Sequence, residues 1–172
     1  CGEFIASAWS LGIPHPPGTP FFVILARVAM LAFSFIGEKV ARVNLVSVLT
    51  SAATIYVCYL IVYDSLQSYF LLLKKKSEEL KTSYSIEVAD FLTIIGSFLG
   101  ASLVAFSDTF WFNAVEAEVY GLSMFMVFLI TYMSIIWIKY RQDNFGDRLL
   151  VLICYIAFLG VGVHLYSMIT LP

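Results

Sequence analysis

An acid and a histidine stand close together at the start of the chain, which reads CGEFIASAWSLGIPHPPGTP. Glu3 precedes a short apolar stretch with helical potential, and His15 stands between Pro14 and Pro16. Because proline restricts the backbone, His15 must project from a stiff loop, which suits a positioned ligand or acid. Glu3 could be a general base or a metal-binding carboxylate. Equally, Glu3 could be a first-turn acid of an interfacial helix, and the prolines could only break the chain before the next apolar segment.

Three more acids, Asp108, Glu116 and Glu118, lie in the segment SDTFWFNAVEAE, residues 107–118. Asn113 followed three positions later by Glu116 matches a capping box, which predicts a helix starting near residue 119 and gives Glu116 a structural role. Glu118 adjoins the apolar segment itself, and an ionisable group at the mouth of a membrane helix is a functional candidate. Asp108 could be only a solvated loop acid.

The remaining candidates are basic side chains and a second histidine. Arg27, Lys39 and Arg42 are the three bases outside the two strongly basic loops, and they could bind a lipid phosphate or merely reach ordinary headgroups. His164, in the run GVGVHLYSM, is predicted to lie in an apolar helix, either as a hydrogen-bonded packing residue or as a functional group. The sequence contains no serine-hydrolase, phosphate-loop or zinc-protease motif.

The composition shows what must position these residues. Hydrophobic residues make up 60% of the 172 and charged residues 13%, whereas soluble domains have roughly 45–50% and 25%. The sequence therefore predicts an integral membrane protein, and a net charge of −2 argues against a nucleic-acid partner. A span needs about 20 apolar residues, so an all-α polytopic transmembrane helix bundle is expected, with spans at residues 43–63, 86–106, 119–138 and 149–170.

A fifth apolar segment, residues 20–36, is shorter and carries Arg27 near its middle. A charge at that depth is costly, so we expect this segment to form a juxtamembrane or re-entrant helix. Seven of the ten Lys and Arg residues lie in the loops 74–85 and 139–148, which predicts that these loops are cytoplasmic. The acidic loop 107–118 then faces the opposite side, and the opening segment 1–19 shares that outer face if segment 20–36 only dips.

Four blocks of the sequence resemble a family of polytopic membrane proteins common in Bacteroidetes, long described as a domain of unknown function. In order, the blocks are CGEFIASAWSLGIPHPPGTPFFVILARV, EKVARVNLVSVLTSAATIYVCYLIV, SDTFWFNAVEAEVYGLS and GVGVHLYSMITLP. That family is similar to the N-terminal half of the GT-C glycosyltransferases and to a vertebrate protein O-mannosyltransferase. The resemblance implies a GT-C-like N-terminal half whose first outer loop leads into a juxtamembrane helix.

The resemblance also implies a function for the candidate residues. A sugar would pass from a polyprenyl-phosphate donor to an acceptor hydroxyl, such as Ser or Thr of an exported protein, on the periplasmic face of a bacterial inner membrane. Glu3 would be the catalytic acid–base group, and His15 and Arg42 would bind the donor phosphate. Asp108, Glu116 and Glu118 would position the acceptor or a divalent cation, with His164 as a further candidate.

Two other classes of function stay open at this point. The protein could be a transporter or lipid-handling protein in which Glu118 and His164 form a proton or substrate path, or a non-catalytic membrane subunit of a larger assembly. Because the sequence starts at Cys1 and ends at Pro172 just after an apolar run, we expect a longer protein. In the family that it resembles, an Asp precedes the Cys-Gly-Glu triplet, which implies a further catalytic acid upstream of Cys1.

Overall fold

A computed structural model of the protein describes residues 2–16, 18–80 and 83–169. Within these ranges the chain is helical and contains no strand, which confirms the predicted fold class. The elements in order are α1 (Gly2–Ser10), α2 (Pro20–Ala32), α3 (Lys39–Leu80), α4 (Ile86–Ala105), α5 (Asp108–Ala114), α6 (Val119–Tyr140), α7 (Asn144–Val161) and a 3-10 helix, Leu165–Met168. Cys1, Pro17, Lys81, Thr82 and residues 170–172, which include the predicted end of the last span, lie outside the described residues.

Four of these helices, α3, α4, α6 and α7, are long and apolar enough to cross a membrane. This number agrees with the four spans predicted from the sequence. Helix α2 has 13 residues, so it is about 20 Å long. That length is shorter than the roughly 30 Å of the hydrocarbon core.

Helix α3 is much longer than the predicted span of residues 43–63. Its 42 residues give a length of about 63 Å, twice what a crossing requires. The prediction that the connection to the next span begins at Lys74 is wrong, because the helix continues to Leu80. The residues KKKSEEL are charged, but Lys, Glu and Leu are strong helix formers.

Helix α3 is the central element on which α4 and α6 pack. We call the end of the bundle at which α3 and α6 begin the upper end. Gly121 near the start of α6 lies against Ser51 of α3, and Lys139 near its end pairs with Asp64 at 3.4 Å, so the two helices run parallel. Helix α4 returns along the lower part of α3, and α7 returns beside α6 after a short turn.

Helices α1 and α2 pack into the upper end of the bundle. The rings of Phe4 and Phe22 meet edge to face, with centroids 5.5 Å apart. Phe22 is completely buried in a hydrophobic cluster that includes Val43 of α3 and Leu122 of α6. The N–H of Phe21 donates to the Gly162 carbonyl at 2.9 Å, which ties the start of α2 to the end of α7.

Two predicted features near the upper end are corrected by the structure. The capping-box interpretation is wrong, because Asn113 lies inside α5 and its amide donates to the Thr109 carbonyl, while Glu118 is the residue that precedes α6. His164 does not lie inside an apolar helix, because α7 ends at Val161 and His164 precedes the 3-10 helix. Gly160 and Gly162 favour this termination, since glycine weakens a helix and commonly follows its end.

Candidate functional site

Glu3 and His15 form a hydrogen-bonded pair at the upper end of the bundle. One carboxylate oxygen, Oε1, accepts from the backbone N–H of His15 at 2.6 Å, and Oε2 lies 2.7 Å from Nδ1 of its ring. The Glu3 and His15 side chains are 50% and 61% exposed. The structure thus joins two predicted site residues and leaves the pair accessible to a substrate.

The local fold explains how residues twelve positions apart meet. The Gly12 N–H donates to the Ser7 carbonyl as α1 ends, and Gly18 closes the following turn by donating to the His15 carbonyl. Gly18 has a φ of 92°, which glycine adopts without steric cost. The His15 ring then rests on Phe4, with centroids 5.6 Å apart. The loop therefore turns His15 back over the first turn of α1.

The hydrogen bonds from His15, first that of its ring and then that of its backbone N–H, hold the pKa of the Glu3 carboxyl below its ordinary value, although desolvation acts in the opposite direction. The carboxylate therefore stays ionised to lower pH than an ordinary glutamate, and the contact is lost only as the pH falls through that lowered pKa. A carboxylate at Nδ1 favours a proton on that nitrogen and directs Nε2 elsewhere. Such a pair can take a proton at Nε2 when the ring is neutral, or donate one when it is charged.

The acidic turn after α5 reaches the same part of the bundle. Ala117, which stands between Glu116 and Glu118, and Phe4, which follows Glu3, belong to one buried hydrophobic cluster. The backbone of Glu118 is held by Ser47 of α3, whose hydroxyl donates to the Glu118 carbonyl at 3.2 Å and accepts from its N–H at 3.3 Å. The structure therefore places two of the predicted acids at the upper end, on a turn anchored to α3.

His164 lies at the upper end as well. The adjacent Val163 is fully buried in the cluster that contains Phe4. The His164 ring stands 5.7 Å from the ring of Tyr120 and 4.3 Å from that of Tyr166, and its Nδ1 accepts from the Tyr166 N–H. The ring is thus oriented by aromatic neighbours at the junction of α6 and α7.

Asp108 lies apart from the predicted site residues that are grouped around Phe4. It lies in the first turn of α5, exposed, in a surface cleft that it shares with Phe106 and Trp111. No residue of this cleft belongs to the cluster around Phe4. The structure therefore does not group Asp108 with Glu3 and His15.

Arg42 holds the end of α2. Its Nε donates to the Ile36 carbonyl at 2.6 Å, and Nη1 donates to that of Met30 at 3.0 Å. Nη2 donates to the carbonyls of Ser34 and Gly37. Four of the five guanidinium N–H groups are thus used on carbonyls at the C-terminal end of α2, whereas His15 lies near its N-terminal end. The structure does not bring Arg42 to the Glu3–His15 pair.

We predict that Arg42→Gln lowers the stability of the full-length protein by about 2–4 kcal/mol, because several carbonyls lose a charged donor. Arg42→Lys should restore little of this loss, since an ammonium cannot reproduce the planar fork. Thermal unfolding in detergent measures both variants. Arg141→Gln, which removes an exposed arginine at the lower end, is the control and should unfold like the wild type. Equal stability of Arg42→Gln and the wild type would contradict this role.

Sequence reasoning missed a cavity at the upper end, between α3, α4, α5 and α6. Its volume is about 450 Å³, and its lining includes Ser51, Thr109, Phe110, Asn113 and Tyr120. Ser51 is 3% exposed, and its hydroxyl has no hydrogen-bond partner within the described ranges. One pattern in the sequence could have indicated a polar inner face of α3. Ser47, Ser51 and Thr54 have the spacing of residues on one helix face, and all three are buried.

The predicted acids do not form a metal-ligand cluster in the part of the chain that the structure describes. No group of three or more His, Cys, Asp or Glu side chains there is arranged to hold a metal ion. The candidate site is instead a hydrogen-bonded carboxylate–histidine pair at the upper end. The acidic turn and His164 lie at the same end of the bundle, joined to it through the buried cluster around Phe4.

The fold and the site define a class: a polytopic helical protein with four helices able to cross a membrane and a carboxylate–histidine pair at one end of the bundle. The chain belongs to the family described as Protein O-mannosyl-transferase TMEM260 N-terminal domain, which matches residues 1–172. It is 28% identical over 134 residues to the mouse protein O-mannosyl-transferase TMEM260, covering 78% of this chain and 15% of the mouse protein. No solved structure gives a significant match. The resemblance to an O-mannosyltransferase family is thereby confirmed.

Proposed function

We propose that this chain is the N-terminal part of a GT-C-type membrane glycosyltransferase. The enzyme would transfer a sugar, mannose by analogy with the mouse relative, from a polyprenyl-phosphate donor to a Ser or Thr hydroxyl of an exported protein. The observation that carries the proposal is the exposed Glu3–His15 pair at the end of the bundle. Family membership supports the reaction class.

The hydrogen bonds of Glu3 support a division of roles within the pair. Both carboxylate oxygens of Glu3 are hydrogen-bonded to His15. The lowered pKa of Glu3 makes it a weaker base than an ordinary glutamate. Glu3 therefore acts as a positioning residue, and His15 is the group that meets the substrates. In the transfer step, the acceptor hydroxyl gives its proton to Nε2 of neutral His15 as its oxygen bonds to the sugar, and the bond from the sugar to the phosphate oxygen breaks.

The surroundings of the pair supply the other parts of a transferase site. The acidic turn with Glu116 and Glu118 lies at the same end and would orient the acceptor. Tyr120 lines the 450 Å³ cavity and its ring is also 5.7 Å from the His164 ring, so this cavity at the upper end is a candidate for substrate binding. Asp108 and Arg42 lie outside this group, and the proposal gives neither of them a role in the reaction.

The charge distribution supports an outward-facing site. Bases such as Lys74, Lys75, Lys139 and Arg148 lie at the lower end, whereas the acidic turn lies at the upper end. Since positive loops stay on the cytoplasmic side, the upper end would face the periplasm of a bacterial inner membrane.

The test is a transfer assay with the full-length protein, a radiolabelled polyprenyl-phosphate mannose and a Ser/Thr-containing acceptor peptide. We expect label to move to the peptide, and none to move from a water-soluble nucleotide sugar. A transporter would instead show substrate or proton uptake in proteoliposomes without transfer. A non-catalytic subunit would co-purify stably with a partner and give no turnover by itself. Either of these results would contradict the proposal.

A further inference from the structure

The exposed ring of Trp9 brings two cations together at the end of α1. Lys39 Nζ lies 3.2 Å from the centroid of this ring, and Arg27 Cζ lies 5.0 Å from it. Arg27 also donates from Nη1 to the Trp9 carbonyl at 3.0 Å. Trp9 is 52% exposed. Helix α1, the middle of α2 and the first residue of α3 thus meet at one aromatic side chain that is open to the surroundings.

The positive charge at this ring is not neutralised by the protein within the described ranges. Neither Arg27 nor Lys39 forms an ion pair there, and Glu38, the acid next to Lys39, does not pair with either of them. The nearby Arg42 is directed at backbone carbonyls, which carry no net charge. Both cations lie against the ring of Trp9. They repel each other, so an anion that contacts both would be stabilised by both.

The surface of α2 next to Arg27 is apolar. An exposed apolar stripe runs along one face of α2, with the helical spacing of four and three residues. It consists of Ile24, Val28 and Leu31, whose exposed fractions are 56%, 53% and 62%. A tryptophan beside such a stripe is typical of the boundary between headgroups and acyl chains. The surface therefore combines the two cations at Trp9 with an exposed apolar stripe on α2.

We propose that Arg27, Lys39 and Trp9 form a binding site for the phosphate group of a lipid, with the lipid chain lying on Ile24, Val28 and Leu31. Arg27 contributes a planar donor for two phosphate oxygens, and Lys39 contributes a mobile point charge. The site is independent of the proposed function, because it is built from residues outside the Glu3–His15 pair. A phosphate-bearing lipid fits it better than free phosphate, since a free ion would not use the apolar stripe.

The test compares lipid retention by the full-length protein in nanodiscs that contain equal amounts of phosphatidylglycerol and phosphatidylcholine. Native mass spectrometry measures the lipids that stay bound after detergent exchange. Phosphatidylcholine also has a phosphate, but its choline cancels the charge, so we expect selective retention of phosphatidylglycerol. The double variant Arg27→Gln, Lys39→Gln should lower that retention about tenfold. Lys39→Gln alone should lower it about threefold; because Lys39 is exposed, this variant should fold normally and serves if the double variant does not.

The matched control is Lys75→Gln, Lys76→Gln, which removes the same charge from the exposed lower part of α3. This control should retain phosphatidylglycerol like the wild type. An equal loss in the control would overturn the proposal, because it would show general electrostatic attraction. Displacement of the lipid by millimolar inorganic phosphate would also overturn it, in favour of a free-ion site. Unchanged retention in Lys39→Gln would show that this cation does not bind the headgroup.

Discussion

His15→Ala is expected to lower sugar transfer by the full-length protein about 10²–10⁴-fold, the range for loss of a positioned proton-transfer group. The loss should appear mainly in kcat, because the ring in the proposed mechanism handles a proton in the transition state and contributes little to ground-state binding. A single-turnover transfer assay with polyprenyl-phosphate mannose and acceptor peptide separates the chemical step from product release.

Glu3→Gln tests whether the carboxylate acts through His15. The two hydrogen bonds from His15 go to different carboxylate oxygens, and the amide replaces one of these oxygens with an NH2 donor. The amide therefore cannot keep both hydrogen bonds in this arrangement. We expect a loss of about 10²-fold in kcat with little change in KM. Glu3→Asp should restore part of the activity, since it keeps the charge and shortens the reach.

The double variant Glu3→Gln, His15→Ala is the sharpest comparison. If the two residues work as one unit, it should be no slower than His15→Ala alone, because positioning has no value once the ring is removed. Glu87→Gln is the matched control, since Glu87 is likewise a first-turn acid, on α4 at the lower end. Transfer at the wild-type rate by His15→Ala would refute the assignment, and fully additive losses would refute the positioning role of Glu3.

The sequence predicted the fold more fully than it predicted the site, for reasons that particular residues show. Apolar length is a local property, so four crossing helices could be counted directly. Helix ends were less predictable, because a run of charged residues indicates a loop while the same residues have a high helix propensity. Residues 74–80 are such a run, and they extend α3. Asn113 and Glu116 had the spacing of a capping box, but α5 took Asn113 into its own last turn.

The site depended on contacts between residues far apart in the chain. Prolines around His15 predicted a stiff loop, but not that the loop would fold back onto Glu3, because this required the turns at Gly12 and Gly18. Arg42 was recognisable as a base near a helix start. The guanidinium of Arg42 donates to carbonyls that have no helical partner where α2 ends. This role could not be predicted, because it depends on how α2 packs against α3. Trp9 carried no sequence signal of its contact with two cations.

Gly121→Leu is expected to damage the bundle strongly, because a leucine side chain does not fit where α6 lies close to α3. Even a Cβ at Gly121 would lie 2.9 Å from the Ser51 hydroxyl oxygen, 3.2 Å from the Ser47 carbonyl and 3.3 Å from the Thr50 hydroxyl. The Ser51 hydroxyl can rotate, but the Ser47 carbonyl belongs to the α3 backbone. Small residues allow membrane helices to approach in this way. A leucine would force the helices apart, at a cost of about 3 kcal/mol.

The separation would also reach the candidate site. Ser47 holds the backbone of Glu118 immediately before α6, so displacing α6 should move the acidic turn and lower transfer by at least about tenfold.

Gly121→Ala should stay within about 1 kcal/mol of the wild type, because the gain in helix propensity offsets the tight contact. Gly100→Leu on α4 is the control, since a Cβ there would meet only the Val62 side chain, at 3.4 Å. Thermal unfolding should rank Gly121→Leu well below Gly100→Leu, and equal stability of the two would show that the α3–α6 contact is not the tight one.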